Sequence, residues 1–233
     1  MKIEVWSDYV CPFCYIGKRK LEKALESFEH RDQVEVVYRS FQLDPNAPLN
    51  ASEDMYTTLA KKYGMSYEQA VQMTEGVVQQ AKEVGLDYDF SKMKRTNTMD
   101  AHRISHFAME KGKDKELTEL LLKAYFIEGK HLGEHEELLA IAAEAGLDRD
   151  EVKSVLESDR YADAVNADIQ TASQIGVTGV PFFVLESKYA ISGAQPDEVF
   201  AGALKQVWDE TNKSPLVNVG GQGNACADDS CDI

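Results

Sequence analysis

The sequence predicts an α/β fold in which a βαβ unit is parted from a ββα unit by a long all-helical stretch. Three observations carry this. KIEVWS and VEVVYRSF alternate like strands on either side of a helical stretch, and from about Ser52 to Ile175 only helical periodicity is found. Strands return as PFFVL and YAIS, followed by one last amphipathic segment.

In the first strand Ile3 and Val5 alternate with Lys2 and Glu4. From Pro12 to about Phe28, Leu21, Ala24, Leu25 and Phe28 fall at helical spacing, and Pro12 suits a first turn where no N–H is needed. The second strand covers 34–41 and ends at LDPNAP; strand, helix and strand at this length imply a parallel pair. In the helical stretch several segments close at Gly, and Asp148 with Glu151 has the spacing of a capping box. PFFVL and YAIS flank ESK as a hairpin. In the last helix Pro196 stands near the first turn, with Val199, Phe200, Ala203, Leu204, Val207 and Trp208 on one stripe. The expected division is 1–50 for the first half of the α/β core, 51–175 for a helical insertion and 176–212 for the second half. Residues 213–233 are expected to be a flexible tail carrying a C-x4-C pair.

A chain of 233 residues can bury a sizeable core. Its net charge of -15 and lack of a basic run argue against a nucleic-acid partner. No apolar run reaches the roughly 18 residues of a membrane span, and MKIEVWSDYV lacks the features of a secretory signal, so a cytoplasmic location is expected. In a reducing compartment, closely spaced cysteines point to redox catalysis or metal binding rather than to a disulfide scaffold.

The chemistry is concentrated in SDYVCPFCYIG. Cys14 lies two helical turns before Leu21, on the same apolar face, whereas Cys11 sits at the helix mouth. There the unpaired N–H groups and the positive end of the macrodipole favour a thiolate. One sulfur is thus expected to be exposed and ionised, the other buried and thiol-like, which is the asymmetry that thiol–disulfide exchange requires. Cys11 is the expected nucleophile and Cys14 the resolving cysteine. A zinc site would need two further ligands; His131 and His135 straddle Gly133, and no resident metal is expected. Cys226 and Cys231, with Asp228 and Asp229 between them, leave three readings open: a redox relay to the first pair, an incidental disulfide, or a soft-metal site.

VCPFCY after a strand, RTNTMDAHRISHFA in the helical stretch and GVTGVPFFVL before the hairpin together resemble the DsbA family of thioredoxin-fold oxidoreductases, and within it the FrnE-like cytoplasmic branch. The likeness runs from residue 1 to about 212. It implies a thioredoxin fold with a helical insertion and a cis Val180–Pro181 peptide facing the CPFC pair, of which Pro12 and Phe13 are part. It also implies that an extended substrate segment pairs with the backbone before that proline. Phe13, Val180, Phe182 and Tyr9 are candidates for an apolar patch, though each is equally readable as core. The implied substrates are disulfides of unfolded or misoxidised proteins, acted on by an oxidase, reductase or isomerase. A thiol would donate electrons, no cofactor beyond the redox disulfide is implied, and glutathione is a candidate co-substrate. Phe13 stands where the strongly oxidising members carry His, so the expected potential lies between about -270 and -120 mV. Asp8 is either a buried proton shuttle or a solvated carboxylate.

A competing function comes from chains of the same split fold, the kappa-class glutathione transferases and glutathione-dependent 2-hydroxychromene-2-carboxylate isomerases. These carry Ser in the place of Cys11. In that reading Asn97, His102 and Arg103 line a small-molecule pocket; in the alternative, His102 and Arg103 make helix-surface or interhelix hydrogen bonds. A redox-switched binding module is a third reading, and a homodimer is compatible with all three.

Overall fold

The computed structural model describes residues 1–212. Strand β1 (Lys2–Ser7) leads into α1 (Pro12–Glu26), a short 3-10 turn and β2 (Glu35–Ser40). The helical stretch contains α2 (Met55–Tyr63), α3 (Tyr67–Glu83), α4 (Met99–Glu110) and α5 (Asp114–Lys123), which runs on as a π turn, Ala124–Glu128. It continues through α6 (His135–Glu144), α7 (Arg149–Leu156) and α8 (Ala162–Gln174). The chain then forms β3 (Phe182–Leu185), β4 (Tyr189–Ser192) and α9 (Asp197–Thr211). The sheet order is β2-β1-β3-β4. β1 runs parallel to β2, as a crossover through α1 requires, and antiparallel to β3, which pairs antiparallel with β4.

Strand alternation sends Ile3, Val5, Phe183 and Leu185 to one sheet face, where they meet Leu21 and Ala24 of α1 and Phe200, Leu204 and Val207 of α9. The opposite face is covered by α8, whose Ala172 packs with Trp6 and Val177. Trp6 Nε1 donates to the Asp168 carbonyl at 3.0 Å, so the buried indole is satisfied. A second core lies among the insertion helices, with Ile104, Phe107, Leu117, Leu121 and Leu138 at its centre, and it also takes in Tyr9, Tyr15 and Ile16. Helix α1 therefore serves both cores. Glu119 of α5 ties the two regions together: it accepts from Lys18 Nζ at 2.5 Å, from Tyr15 Oη at 2.6 Å and from Arg19.

Local structure departs from the sequence expectation at three places. Helix α2 has no fully buried residue and so leaves little apolar period to read; Asp54 caps it by accepting from Thr57 N at 2.9 Å, and Gly64 ends it at φ 65°. Asp148 caps α7 through the amides of Asp150 and Glu151, but the return arm of the box is missing because Glu151 bonds Lys111 Nζ at 2.9 Å instead. On α9 the apolar stripe is narrower than its sequence suggests, with Phe200, Leu204 and Val207 buried but Val199 exposed.

Candidate active site

The CPFC pair lies where β1 ends and α1 begins. Cys11 is the N-cap residue, in extended conformation (φ -91°, ψ 111°), and Pro12 opens the helix. No side chain caps this helix, so the first-turn dipoles face Cys11 without a competing acceptor. The Cys14 amide donates to the Cys11 carbonyl at 3.0 Å. Both cysteines are free thiols. The Cys11 thiol donates to the Val180 carbonyl at 3.3 Å, and the Val180–Pro181 peptide is cis.

That contact explains a departure from expectation. Cys11 is only 3% exposed, because the Val180–Pro181 loop folds over it; the asymmetry of the pair is one of hydrogen bonding and field, not of accessibility. Cys14 accepts from the Asp8 amide at 3.5 Å. Burial pushes its thiol well above the ordinary range, and its hydrogen bond with Cys11 and the charge there add to this, against weaker pulls from the Ser7 side chain and the Asp8 amide.

Asp8 is buried (1% exposed) and not a solvated strand-end carboxylate. Its Oδ2 accepts from the Leu43 amide at 2.8 Å, and Oδ1 lies 3.4 Å from His102 Nε2 of α4. The Tyr9 ring lies against His102 with centroids 4.8 Å apart, and its hydroxyl pairs with Ser105 Oγ at 2.6 Å. Tyr9 is therefore core and does not belong to an apolar surface patch. Phe13 is 38% exposed beside the pair, whereas Val180 and Phe182 are half-buried toward Trp6.

The small-molecule pocket that the competing reading placed around Asn97 and His102 is not formed. Asn97 is committed to its loop, accepting from the Met99 amide at 2.9 Å and donating to the Pro45 carbonyl at 2.9 Å. Arg103 donates to the Arg160 carbonyl at 2.9 Å and to the carbonyls of Val155 and Ser158, closing the end of α7. His102 lines only a cavity of about 20 Å³, enough for a single water and far too small for an organic substrate. His131 Nδ1 accepts from the Gly133 amide, while His135 turns to Asp100, so the two histidines do not converge. Among the described residues, no group of three or more His, Cys, Asp and Glu is placed to hold a metal ion. Cys226 and Cys231 lie outside the described residues.

Two site residues escaped the sequence reading. Tyr88, between α3 and α4, donates to the Pro12 carbonyl at 2.7 Å; burial, then the charge at Cys11, pushes its phenol upward. Its link to the CPFC turn spans 76 residues, beyond any local pattern. Gly17 lies one turn after Cys14, and an added Cβ would stand 3.0 Å from Pro181 Cγ and 3.1 Å from Phe183 Cζ. The glycine lets α1 approach the cis-proline loop closely.

Residues 2–205 match the DSBA-like thioredoxin domain family. The chain is 30% identical over 213 residues to YwbO of Bacillus subtilis (strain 168), covering 91% of this chain and 98% of that protein. Among solved structures, the probable DsbA oxidoreductase SCO1869 from Streptomyces coelicolor is 43% identical, with a TM-score of 0.87, covering 100% of this chain and 99% of the other. A 2-hydroxychromene-2-carboxylate isomerase shares the fold at 15% identity and a TM-score of 0.66, covering 91% and 98% of the respective chains. With a family match over nearly its whole length and a free dithiol at a helix mouth facing a cis-proline, this chain belongs to the DsbA-like thioredoxin-domain family of thiol–disulfide oxidoreductases.

Proposed function

We propose that the chain exchanges disulfides with unfolded or misoxidised proteins, with Cys11 as nucleophile and Cys14 as resolving thiol. The observation that carries this reading is the placement of Cys11 at an uncapped helix mouth, 3.3 Å from the Val180 carbonyl, with Cys14 buried behind it. The Cys11 thiolate attacks one sulfur of a substrate disulfide; that bond breaks, and the other sulfur leaves as a thiolate that takes up a proton. Cys14 then loses its proton and attacks Cys11 Sγ, forming the Cys11–Cys14 disulfide and releasing the second substrate thiol. The two electrons gained by the substrate are returned to the pair by a thiol donor, for which glutathione is a candidate. If Cys14 does not act, a different thiol of the same substrate attacks the substrate sulfur of the mixed disulfide, Cys11 leaves as a thiolate, and the outcome is isomerisation.

An extended substrate segment would pair with the Val180 backbone, and exposed Phe13 supplies an apolar contact beside it. Phe13 offers no cation to hold a thiolate, which supports a potential between about -270 and -120 mV. A FrnE-like cytoplasmic setting and a relay through Cys226–Cys231 belong to this reading. No helix among the described residues is long and apolar enough to cross a membrane. The glutathione-dependent small-molecule reading loses ground to the second cysteine and to the one-water cavity at His102.

The test is trapping with a disulfide-bonded peptide. Cys14→Ser accumulates a mixed disulfide at Cys11, Cys11→Ser forms none, and the Cys226→Ser/Cys231→Ser double variant lowers turnover if the tail pair is a relay. Trapping at Cys14 in place of Cys11, or no mixed disulfide at all, would overturn the reading.

A further inference from the structure

Behind the cysteines lies a set of buried polar atoms without hydrogen-bond partners. Asp8 Oδ1, His102 Nε2 and Thr118 Oγ1 are each buried and unpartnered. A buried polar atom left unsatisfied costs about 1–3 kcal/mol, so three in one neighbourhood point to something that satisfies them. Asp8 Oδ1 and His102 Nε2 are 3.4 Å apart, close enough to interact yet without the alignment of a direct hydrogen bond. His102 and Thr118 line one small cavity together with Ser7, Tyr9 and Ser105. Its volume of about 20 Å³ exceeds the roughly 10–15 Å³ that one water requires, and its walls offer the two to four polar partners a buried water needs.

The cavity also reaches toward the chemistry. Ser7 lines its wall, and the next residue, Asp8, donates its amide to the Cys14 thiol at 3.5 Å. The cavity wall thus runs from Ser7, next in sequence to the Asp8 amide on Cys14, to His102, whose Nε2 lies 3.4 Å from Asp8 Oδ1.

We propose that the cavity holds one structural water and that His102, backed by Asp8, receives through it the proton Cys14 releases in the resolving step. This rests on the exchange reading above and deepens it. In that step the Cys14 S–H bond breaks and its proton passes by way of Ser7 and the water to His102 Nε2. The Cys14 thiolate forms the S–S bond with Cys11 Sγ, the bond from Cys11 to substrate breaks, and the substrate sulfur departs with the electron pair. The imidazolium is held by the Asp8 carboxylate until the proton is returned to a leaving thiolate or to solvent. His102 touches neither sulfur, so it is a positioning residue.

Several titratable and charged groups face the His102 cavity. Asp8 and Tyr9 come from the end of β1, Tyr38 and Arg39 from β2, and Asp114 and Thr118 from α5. His106 lies one turn on along α4, 3.2 Å from Asp168 of α8. Burial pushes the Tyr9 phenol up to about 12, which removes it from the working pH range.

The test separates the two chemical steps by stopped flow with a fluorescent peptide disulfide, following mixed-disulfide formation and then its resolution from pH 5 to 9. His102→Gln is expected to slow resolution about tenfold or more and to flatten its pH profile, while attack by Cys11 stays within about twofold. Thr118→Val, which keeps the shape but removes one partner of the water, should slow resolution by a smaller factor at unchanged attack. Equal slowing of both steps in His102→Gln, or an unchanged resolution rate and pH profile, overturns the inference and leaves the exchange reading standing. Absence of any mixed disulfide in the unmodified protein overturns both.

Discussion

Replacing Gly17 by alanine tests whether the catalytic helix and the proline loop are held as closely as the structure shows. The new methyl would sit 3.0 Å from Pro181 Cγ, 3.1 Å from Phe183 Cζ and 3.5 Å from Pro181 Cβ. Carbon–carbon contacts are comfortable at about 3.5–4.0 Å, so the first two distances are short by roughly half an ångström. Neither neighbour yields easily. Phe183 is fully buried, with its ring edge-on to Phe200 at 5.0 Å, and Pro181 is a rigid ring next to the carbonyl that contacts Cys11. Overpacking costs about 1–3 kcal/mol, against which alanine recovers about 1 kcal/mol of helix propensity. The net expectation is a loss of about 1 kcal/mol, read as a lower urea midpoint at unchanged m. If Pro181 gives way, the Val180 carbonyl retreats from Cys11, and peptide attack should slow about threefold to tenfold, since an ångström of misplacement costs about a hundredfold. The reasoning fails if Gly17→Ala is more stable by the full propensity gain and attacks peptide at the normal rate.

Four further outcomes are expected. Iodoacetamide at neutral pH should modify Cys11 and leave Cys14 unmodified, since burial raises the Cys14 thiol; peptide mass mapping with a pH series checks this. Glu119→Gln should cost about 1–2 kcal/mol in chemical denaturation, because Lys18, nearly buried, then keeps only Glu22 as a charged partner. Burial raises Glu119, but the Lys18, Tyr15 and Arg19 contacts outweigh it and hold the carboxyl below the usual range. Its contribution is thus present above the unfolded pKa and lost as pH falls through the folded one, so the acid side of the stability profile should flatten in the variant. Gly133→Ala should destabilise by about 3 kcal/mol in thermal melts, because its Cβ would fall 2.0 Å from the Leu49 carbonyl oxygen.

The parallel pair of β1 and β2, the β3–β4 hairpin, α1 and the CPFC turn were legible because each rests on local signals: alternation, helical period and a proline at a helix start. Legibility failed where burial is decided by distant chain. Asp8 and Tyr9 were open between buried and exposed readings and Cys11 read as exposed, yet α4 brings His102 against the first two, and the loop at Val180 closes over the third. A sequence window around residues 8–11 contains neither neighbour. The motif with Asn97 and Arg103 was open between a pocket and hydrogen bonding, and their polar atoms are consumed by backbone carbonyls and amides of their own surroundings. The π turn after α5 was equally hidden, since Tyr125 and Phe126 keep an apolar pattern that an α-helix would show as well.

Tyr15 and Ile16 of α1 belong to the helical core, while Leu21 and Ala24 of the same helix belong to the sheet core. The insertion is therefore not ornament that could be trimmed to leave a minimal redox module. Excising it would strip the cover from three large apolar side chains, Tyr9, Tyr15 and Ile16, and leave Lys18 without Glu119. A shortened chain would present a sticky flank immediately beside its reactive thiol. For anyone miniaturising this scaffold, the unit of inheritance is the whole assembly, because α1 is the helix both cores share.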